Sequence, residues 1–417
     1  MSHRHPPPDG AASGGVQEIE ISAGVLPAGA RQSGAVLPVE LFFDLVYVLA
    51  ITQITHYLLD HLTLRGAAEA LILFLAVWRG WVRITWVSNY FEPRGRPIRL
   101  MLIWLTLASL IVSASLPEAF DGRGLAVAVG FGLVLTGAAA FAAVAAGRDH
   151  PLRVVFERLL AWDLITGLLF VIGGFVESDA RFVLWLGAIA IAYTVIWFGF
   201  PFPRLGHSHT TDYTLTGEHI AERCLLFVTI ALGESIVITG SNFGELPNTT
   251  ETWAAFVVAF ASTAAIWWTY FDRGAEAGRE MISSADDPGR LGLIAYTYCH
   301  IPIVAGIIVA AAGDEIAIAH PGDEVSSGEA ALILGGPALY LLGHILFKLT
   351  VWGHISPSRL GGVCALGALA PLAAASSALV LIAAATAVLI GVIAWDLLIE
   401  RRRLLAESKL VAVELEV

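Results

Sequence analysis

The chain has 417 residues, of which 57% are hydrophobic and 14% are charged, and its mean hydropathy is +0.73. A soluble protein of this length could not bury so much apolar surface, so the composition excludes a string of soluble domains. The formal net charge of −12 gives no basis for nucleic-acid binding. The three cysteines form no C-x-x-C pair, and we expect neither a disulfide framework nor a thiolate metal site.

The apolar runs predict an all-α polytopic membrane protein. Residues 1–35 are rich in Pro, Gly and Ser and lack an apolar stretch, so we expect a disordered cytoplasmic tail there. Twelve runs long enough to cross ~30 Å of hydrocarbon follow. They are 38–60, 66–91, 98–117, 124–147, 151–176, 180–200, 217–241, 252–272, 290–313, 327–350, 359–376 and 379–400. For 359–400, one broken span is the alternative.

The distribution of Lys and Arg predicts the orientation. With twelve spans and both termini in the cytoplasm, seventeen of the 24 basic residues fall on the inner side and three on the outer side, while four lie inside spans. We therefore expect a multi-pass protein of the bacterial cytoplasmic membrane, with 401–417 as a cytoplasmic tail. Many acids fall in the predicted outer loops, as in "GDEIAIAHPGDEVSSGE" (313–329).

Matching stretches predict an internal repeat of two halves with six spans each. The first half is 36–200, the cytoplasmic linker is 201–216 and the second half is 217–400. "NYFEPRG" (89–95) resembles "TYFDRG" (269–274), and the first span aligns with the seventh so that Glu40 falls on Glu222. Halves with six spans each keep the same orientation, which is a parallel repeat. The alternative is that any two helices rich in Ala and Leu align to some extent.

Charged residues lie inside the predicted spans, where each must face protein or water. From a helical rise of 1.5 Å, seven of them lie about 3 to 12 Å from the inner end of their spans and form one layer. These are Glu40, Asp44, Arg83, Glu157, Arg158, Glu222 and Arg223. Glu40 and Asp44 share a helix face, and Arg83 and Arg223 are alternative partners for them. Arg79 and Asp163 lie deeper and are expected to pair. The alternative is that such ion pairs only fix helix packing.

Two histidines lie beside expected helix breaks. Pro302 cannot donate a hydrogen bond in the helix that carries His300, and Pro337 with its neighbouring glycines precedes His344. A titratable imidazole at such a break is typical of a place where protons or ions are handled. In the seventh span, His219, Arg223 and Glu234 fall on one face. They predict a polar stripe along that helix.

A second group of residues is predicted to form an interfacial motif of aromatic and acidic side chains. Its members are Tyr90, Glu92, Trp267, Trp268, Tyr270 and Asp272.

Several ordered motifs resemble those of the bacterial low temperature requirement A (LtrA) proteins. They are "VELFFDLVYVLAITQITHYL", "ERCLLFVTIALGESIV", "IWWTYFD" and "YTYCHIPIVAGIIVAAAG", within residues 36–400. The resemblance implies an integral membrane protein with a role in growth at low temperature, and it implies no particular substrate. It also implies that Gly233 and Ser235 belong to the E-R…L-G-E-S motif.

The leading functional hypothesis is a proton-linked secondary transporter or ion pathway with a small solute and a cavity between the halves. An intramembrane lipid-modifying enzyme that uses the carboxylates and His is one alternative, and a non-catalytic membrane factor for stress adaptation is another. We expect no catalytic residue, metal or cofactor; the lipid bilayer is the only partner that the sequence identifies, and it does not indicate an oligomeric state.

Overall fold

The computed structural model describes residues 35–416 except 92, 93, 214 and 273, and it is helical throughout. Its helices are α1 (Pro38–Asp60), α2 (Leu64–Tyr90), α3 (Arg96–Ser115), α4 (Gly124–Ala145), α5 (Leu152–Phe175), α6 (Ser178–Trp197), α7 (Gly217–Glu245), α8 (Thr250–Phe271), α9 (Gly274–Ser283), α10 (Pro288–Leu291), α11 (His300–Ala319), α12 (Ser327–Trp352), α13 (Pro357–Leu369) and α14 (Ala378–Glu416). The described part contains two isolated β-bridges and no strand. The predicted tail at 1–35 falls almost wholly outside the described residues.

Eleven of the described helical segments are long and apolar enough to cross a membrane, which confirms the polytopic all-α prediction. The predicted fifth span, α5, is not among the eleven, although it is a helix of 24 residues that packs against α4 and α6. Residues 357–375 and 378–402 form two separate segments rather than one broken span.

The ninth span extends further than predicted. A π-helical segment, Gly292–Tyr298, leads into α11, which continues to Ala319. Asp314 is therefore a buried helix residue and does not belong to an outer loop, because apolar residues continue on both sides of it. Pro302 lies in the first turn of α11, four residues after Tyr298, where the π-helical segment ends.

Helix ends are set by local hydrogen bonds. Ser326 and Glu329 form a reciprocal capping box at the start of α12, with Glu329 Oε2 accepting from the Ser326 N–H at 2.7 Å. Gly353 ends α12 with φ of 71°, a left-handed conformation that favours glycine. Against expectation, α12 runs on through Pro337 without a break.

The helices of each predicted half pack mainly on one another. In the first half α1 contacts α3, and the contacts then follow α3–α4, α4–α5 and α5–α6; in the second, α7 contacts α11, followed by α11–α12, α12–α13 and α13–α14. The halves meet where α1 packs on α7 and α11 and where α2 packs on α7. This order of neighbours agrees with a repeat, which stays a prediction.

An aromatic cluster fills the junction between the halves. The Trp81 ring lies 5.0 Å from the Trp78 ring and 4.5 Å from the Phe227 ring of α7, measured between centroids. The indole N–H of Trp78 donates to the Thr297 carbonyl in the π-helical segment at 3.0 Å. Three fully buried rings thus hold α2 against the second half.

Candidate functional site

Glu40 and His219 form a buried contact between the two halves. Glu40 Oε1 lies 3.0 Å from His219 Nε2, and the two side chains are no more than 1% exposed. The other carboxylate oxygen accepts a hydrogen bond from the Leu37 backbone N–H at 3.0 Å. Glu40 therefore caps the start of its own helix and also binds α7.

Asn89, on α2, determines the tautomer of His219. Its Oδ1 accepts from the Thr216 N–H at 2.9 Å and its Nδ2 donates to the Thr216 carbonyl at 3.0 Å, so the orientation of the amide is fixed. Nδ2 also lies 3.0 Å from His219 Nδ1, which must then accept. The imidazole proton is consequently on Nε2, which donates a hydrogen bond to Glu40. Since Nδ1 carries no proton, His219 is neutral in this arrangement.

Asp44 and Arg223 form a second buried contact one helical turn further along. Arg223 Nη2 donates to Asp44 Oδ1 at 2.9 Å, and both side chains are at most 1% exposed. The same oxygen accepts from Trp81 Nε1 at 2.9 Å, and Arg223 Nη2 also lies 3.4 Å from Thr85 Oγ1. The sequence left two arginines open as partners of the first-span acids, and Arg223 is the one that binds Asp44.

This second contact uses only part of the available hydrogen-bonding capacity. Asp44 Oδ2 and the Nε and Nη1 atoms of Arg223 are buried and have no hydrogen-bond partner among the described residues. Buried polar atoms without partners are uncommon and indicate either bound water or a second arrangement of the same groups.

Arg83 binds Asp163 rather than the first-span acids. The distance from Arg83 Nη2 to Asp163 Oδ1 is 2.7 Å, and that from Arg79 Nη2 to the same oxygen is 3.4 Å. The predicted pairing of Arg79 with Asp163 is confirmed, but Arg83 makes the shorter contact. Residues 81 and 83 face nearly opposite directions on a helix, so α2 presents a different charge cluster to each side.

Two residues of the predicted layer, Glu157 and Arg158, lie apart from these clusters. Glu157 pairs with Arg153 at 2.7 Å, with both side chains about one third exposed. Arg158 donates to the Leu205 carbonyl and to Ser208 Oγ in the segment before α7. Because a helix turns by about 100° per residue, neighbours of inward-facing residues point elsewhere, and the depth of a residue alone could not show this.

Glu222, the proposed repeat partner of Glu40, is one quarter exposed and binds Arg279 of α9 at 3.2 Å. Glu218 binds the same guanidinium. The aligned residues thus have different surroundings in the two halves. Arg279 lies between the predicted spans 252–272 and 290–313, where the sequence analysis predicts no helix and the structure has α9.

A cavity of about 210 Å³, here called cavity A, lies in the second half between α7, α8, α9, the π-helical segment, α11, α12 and α13. Its polar lining comprises Glu222, Thr269, Tyr270, Glu276, Arg279, Tyr296, His300, His344, Lys348 and Arg359. The size suits a small solute, since pockets for drug-sized ligands run from ~300 to 1,000 Å³. Two histidines that the sequence placed in different spans meet here.

His300 has both ring nitrogens bonded. Nδ1 donates to the Ala295 carbonyl at 2.9 Å, so Nε2 must accept from the Tyr270 hydroxyl, also at 2.9 Å. The bond to Ala295 spans five residues, as the π-helical geometry allows.

His344 is 6% exposed, and its Nε2 has no hydrogen-bond partner in the described part of the chain. Its ring lies 4.6 Å from the Tyr340 ring and 5.7 Å from the Tyr270 ring. Because His344 lines cavity A, its free nitrogen is available to a solute.

Two buried acids lie farther from the clusters. Glu234 is 4% exposed, but no hydrogen bond within the described ranges joins it to His219 or Arg223. Asp314, which the sequence reading missed, is 4% exposed and hydrogen-bonds with Thr263 of α8. The polar stripe predicted along α7 therefore stays a prediction beyond its first turns.

The residues of the predicted interfacial motif differ in how deeply they are buried. Trp267 and Trp268 are about half exposed, as expected of a belt, and Asp272 follows directly after α8. Tyr90 and Tyr270 are instead 5% and 8% exposed and face the protein interior. Glu92 lies outside the described residues.

Three contributors were not predicted: Trp81, Thr85 and Asn89. They are spaced by four residues on α2, and so are Glu40 and Asp44 on α1 and His219 and Arg223 on α7. Matching four-residue spacing on three helices was the available signal, since such residues share a helix face.

Comparisons with known proteins support the assignment to a family. The model of the "Bacterial low temperature requirement A protein (LtrA)" family matches residues 35–394. A protein of Rhizobium meliloti (strain 1021), named "Uncharacterized protein RA0937", is 36% identical over 311 residues, which cover 74% of this chain and 76% of that protein. No solved structure matches the chain at comparable significance.

Proposed function

This chain belongs to the bacterial low temperature requirement A family and has many membrane spans, and we propose that it is a proton-linked secondary transporter of a small polar solute. In this proposal the protein lies in the bacterial cytoplasmic membrane and has both termini in the cytoplasm. The role in growth at low temperature that the family name implies would follow from this transport.

The observation that carries the proposal is the pair of buried contacts between the halves. Glu40 binds His219 and Asp44 binds Arg223, with α1 on one side and α7 on the other. Protonating a carboxylate removes its attraction for the facing cation or donor, so proton binding changes the free energy of this junction. A contact of this kind is a two-state element, which alternating access requires.

Cavity A would bind the solute. Ala221 and Glu222 line it, while the adjacent Arg223 faces Asp44, so a single turn of α7 touches both the cavity and the junction. Any rotation or shift of α7 at this turn would change both. The free Nε2 of His344 and the charged groups of Glu222 and Lys348 are the proposed solute contacts.

Proton uptake at His219 would need a movement of α2 or α7. A protonated imidazole carries hydrogens on both nitrogens, and Nδ1–H would point at the amide hydrogens of Asn89. The Asn89 amide is held by the Thr216 backbone, so it cannot simply turn over. We therefore assign proton binding first to Asp44 and Glu40. The hydrogen bond from His219 to Glu40 would then change when Glu40 binds a proton.

A flux assay tests the proposal. Purified protein in proteoliposomes that contain a pH-sensitive dye is exposed to a panel of small carboxylic acids, amines and amino acids. The wild type is expected to change the internal pH with at least one of them, and Asp44→Asn is expected to abolish that change, because the group can no longer lose a proton.

The control is Asp179→Asn, since the Asp179 side chain is 90% exposed and lies far along the chain from both sites. It should behave as the wild type. Variants are compared only when they elute as the wild type does in size-exclusion chromatography. The proposal fails if no solute moves protons, or if Asp44→Asn moves them at the rate of the wild type.

A further inference from the structure

A second, smaller cavity lies in the first half, on the side of α2 that faces away from Asp44. It has a volume of about 50 Å³ and is lined by side chains of α2, α5 and α6 together with Phe200, Tyr213, Leu293 and Thr297. We call it cavity B. A space of this size accommodates one or a few water molecules or one monatomic ion.

The polar groups that line cavity B are hydrogen-bond donors. Arg79 and Arg83 supply guanidinium groups, Trp86 supplies an indole N–H, and Tyr90, Tyr213 and Thr297 supply hydroxyls, while no Asp or Glu lies in the lining. The rest of the wall is apolar, with Val, Leu, Ile and Phe side chains. A donor-rich, positively charged space with low-dielectric walls favours an anion over a cation or a neutral solute.

The two arginines share one counter-charge. Both bind the same oxygen of Asp163, and the three side chains are 1–4% exposed. This cluster therefore carries one excess positive charge. Burying an unbalanced charge costs several kcal/mol, and a bound anion would remove that penalty.

The arginines also keep free donors. Arg79 Nε and Arg83 Nε are buried, and neither has a hydrogen-bond partner in the described portion of the chain. Both side chains line cavity B, so an anion there would lie beside two positively charged side chains. Two positive groups on one helix face, four residues apart, form a preorganised clamp.

We propose that cavity B binds a halide-sized anion, of the chloride class, between Arg79 and Arg83. This site is separate from cavity A and does not rest on the proposed transport. The bound anion neutralises the excess charge of the Arg79–Arg83–Asp163 cluster and stabilises the packing of α2 against α5.

The test is the halide dependence of thermal unfolding. The full chain in detergent is titrated from sodium gluconate to sodium chloride or bromide at constant ionic strength, and the Tm is read from tryptophan fluorescence. The wild type should show a saturable rise in Tm. Arg83→Gln should lose it, and Asp163→Asn should reach half of the rise at a lower halide concentration, because a competing negative charge is gone.

Arg181→Lys is the matched control. Arg181 is equally buried, at 4% exposed, but donates to four backbone carbonyls at the ends of α5 and the α3–α4 connection, and it does not line cavity B. The Tm of Arg181→Lys should be lower than that of the wild type in every salt, while its halide-dependent rise in Tm should persist. If Arg83→Gln does not fold, the wild type, Asp163→Asn and a bromide-soaked crystal decide the matter, with an anomalous peak beside the two guanidiniums as the expected result.

Ordered water alone in cavity B is the outcome that overturns the proposal. In that case the Tm of the wild type does not change when chloride replaces gluconate, and no anomalous peak is present. A halide-dependent rise that is the same in the wild type, Arg83→Gln and Asp163→Asn also overturns it, since such a rise reflects a general salt effect.

Discussion

At the residue scale, α2 has buried charged groups on two opposite sides. On one side Arg223 binds Asp44, and on the other side Arg79 and Arg83 share Asp163, so this second cluster carries one excess positive charge. The two groups face opposite sides of one helix whose diameter with side chains is ~10 Å. Each group is therefore sensitive to any change of protonation or ligand in the other.

Asp44 and Arg223 are expected to show strong energetic coupling. Asp44→Asn leaves a buried guanidinium without its counter-charge and should lower the free energy of unfolding by about 3–5 kcal/mol. Asp44→Asn combined with Arg223→Gln should lower it by less than the sum of the two single changes, because no orphaned charge remains. Equilibrium unfolding in mixed micelles measures all four states of the cycle. Strictly additive losses would show that the contact carries no interaction energy.

At the element scale, α11 and α12 are joined by glycines rather than by interdigitated large side chains. A Cβ on Gly306 would lie 2.4 Å from the Tyr340 backbone nitrogen, and one on Gly336 would lie 2.4 Å from that of Ala310. Small residues let two membrane helices approach closely and make extensive van der Waals contact. This seam positions His300 and His344 across cavity A.

Adjacent glycines of α12 give a matched pair of substitutions. Gly336→Ala should destabilise the protein by about 1–3 kcal/mol, because the new methyl group overlaps the α11 backbone. Gly335→Ala meets no atom within 4 Å and should be neutral or stabilise by up to about 1 kcal/mol, through higher helix propensity. Thermal unfolding in detergent compares the two. Equal effects of the same sign would contradict the close packing of α11 on α12.

Sequence patterns predicted the elements better than their contacts. Apolar length predicted most of the helical segments, and it failed where α11 continued past Asp314, because a buried acid reads as the end of a span. Proline predicted an irregularity before His300 correctly but a break at Pro337 wrongly. Charge spacing located Glu40, Asp44 and Arg223, yet partner choice depends on helix rotation, which hydropathy does not encode.

At the scale of the whole molecule, the junction of the halves combines the Asp44–Arg223 ion pair and the Glu40–His219 hydrogen bond with the aromatic cluster around Trp81. The residues that hold this junction come from α1, α2, α7 and the π-helical segment, which are far apart in the chain. If the halves move relative to each other during transport, these contacts must change together. The central claim is therefore that protonation of the junction shifts the arrangement of the halves.

Spin-label distance measurements test this claim most directly. Labels are placed on Asp149→Cys and His354→Cys, two exposed loop positions in different halves, in a chain whose exposed Cys364 is replaced by Ala. The wild type in lipid should show two distance populations whose ratio changes between about pH 5 and pH 8. The double variant Asp44→Asn/Arg223→Gln should lose that change. One population independent of pH in the wild type, or the same pH response in the double variant, would contradict the account.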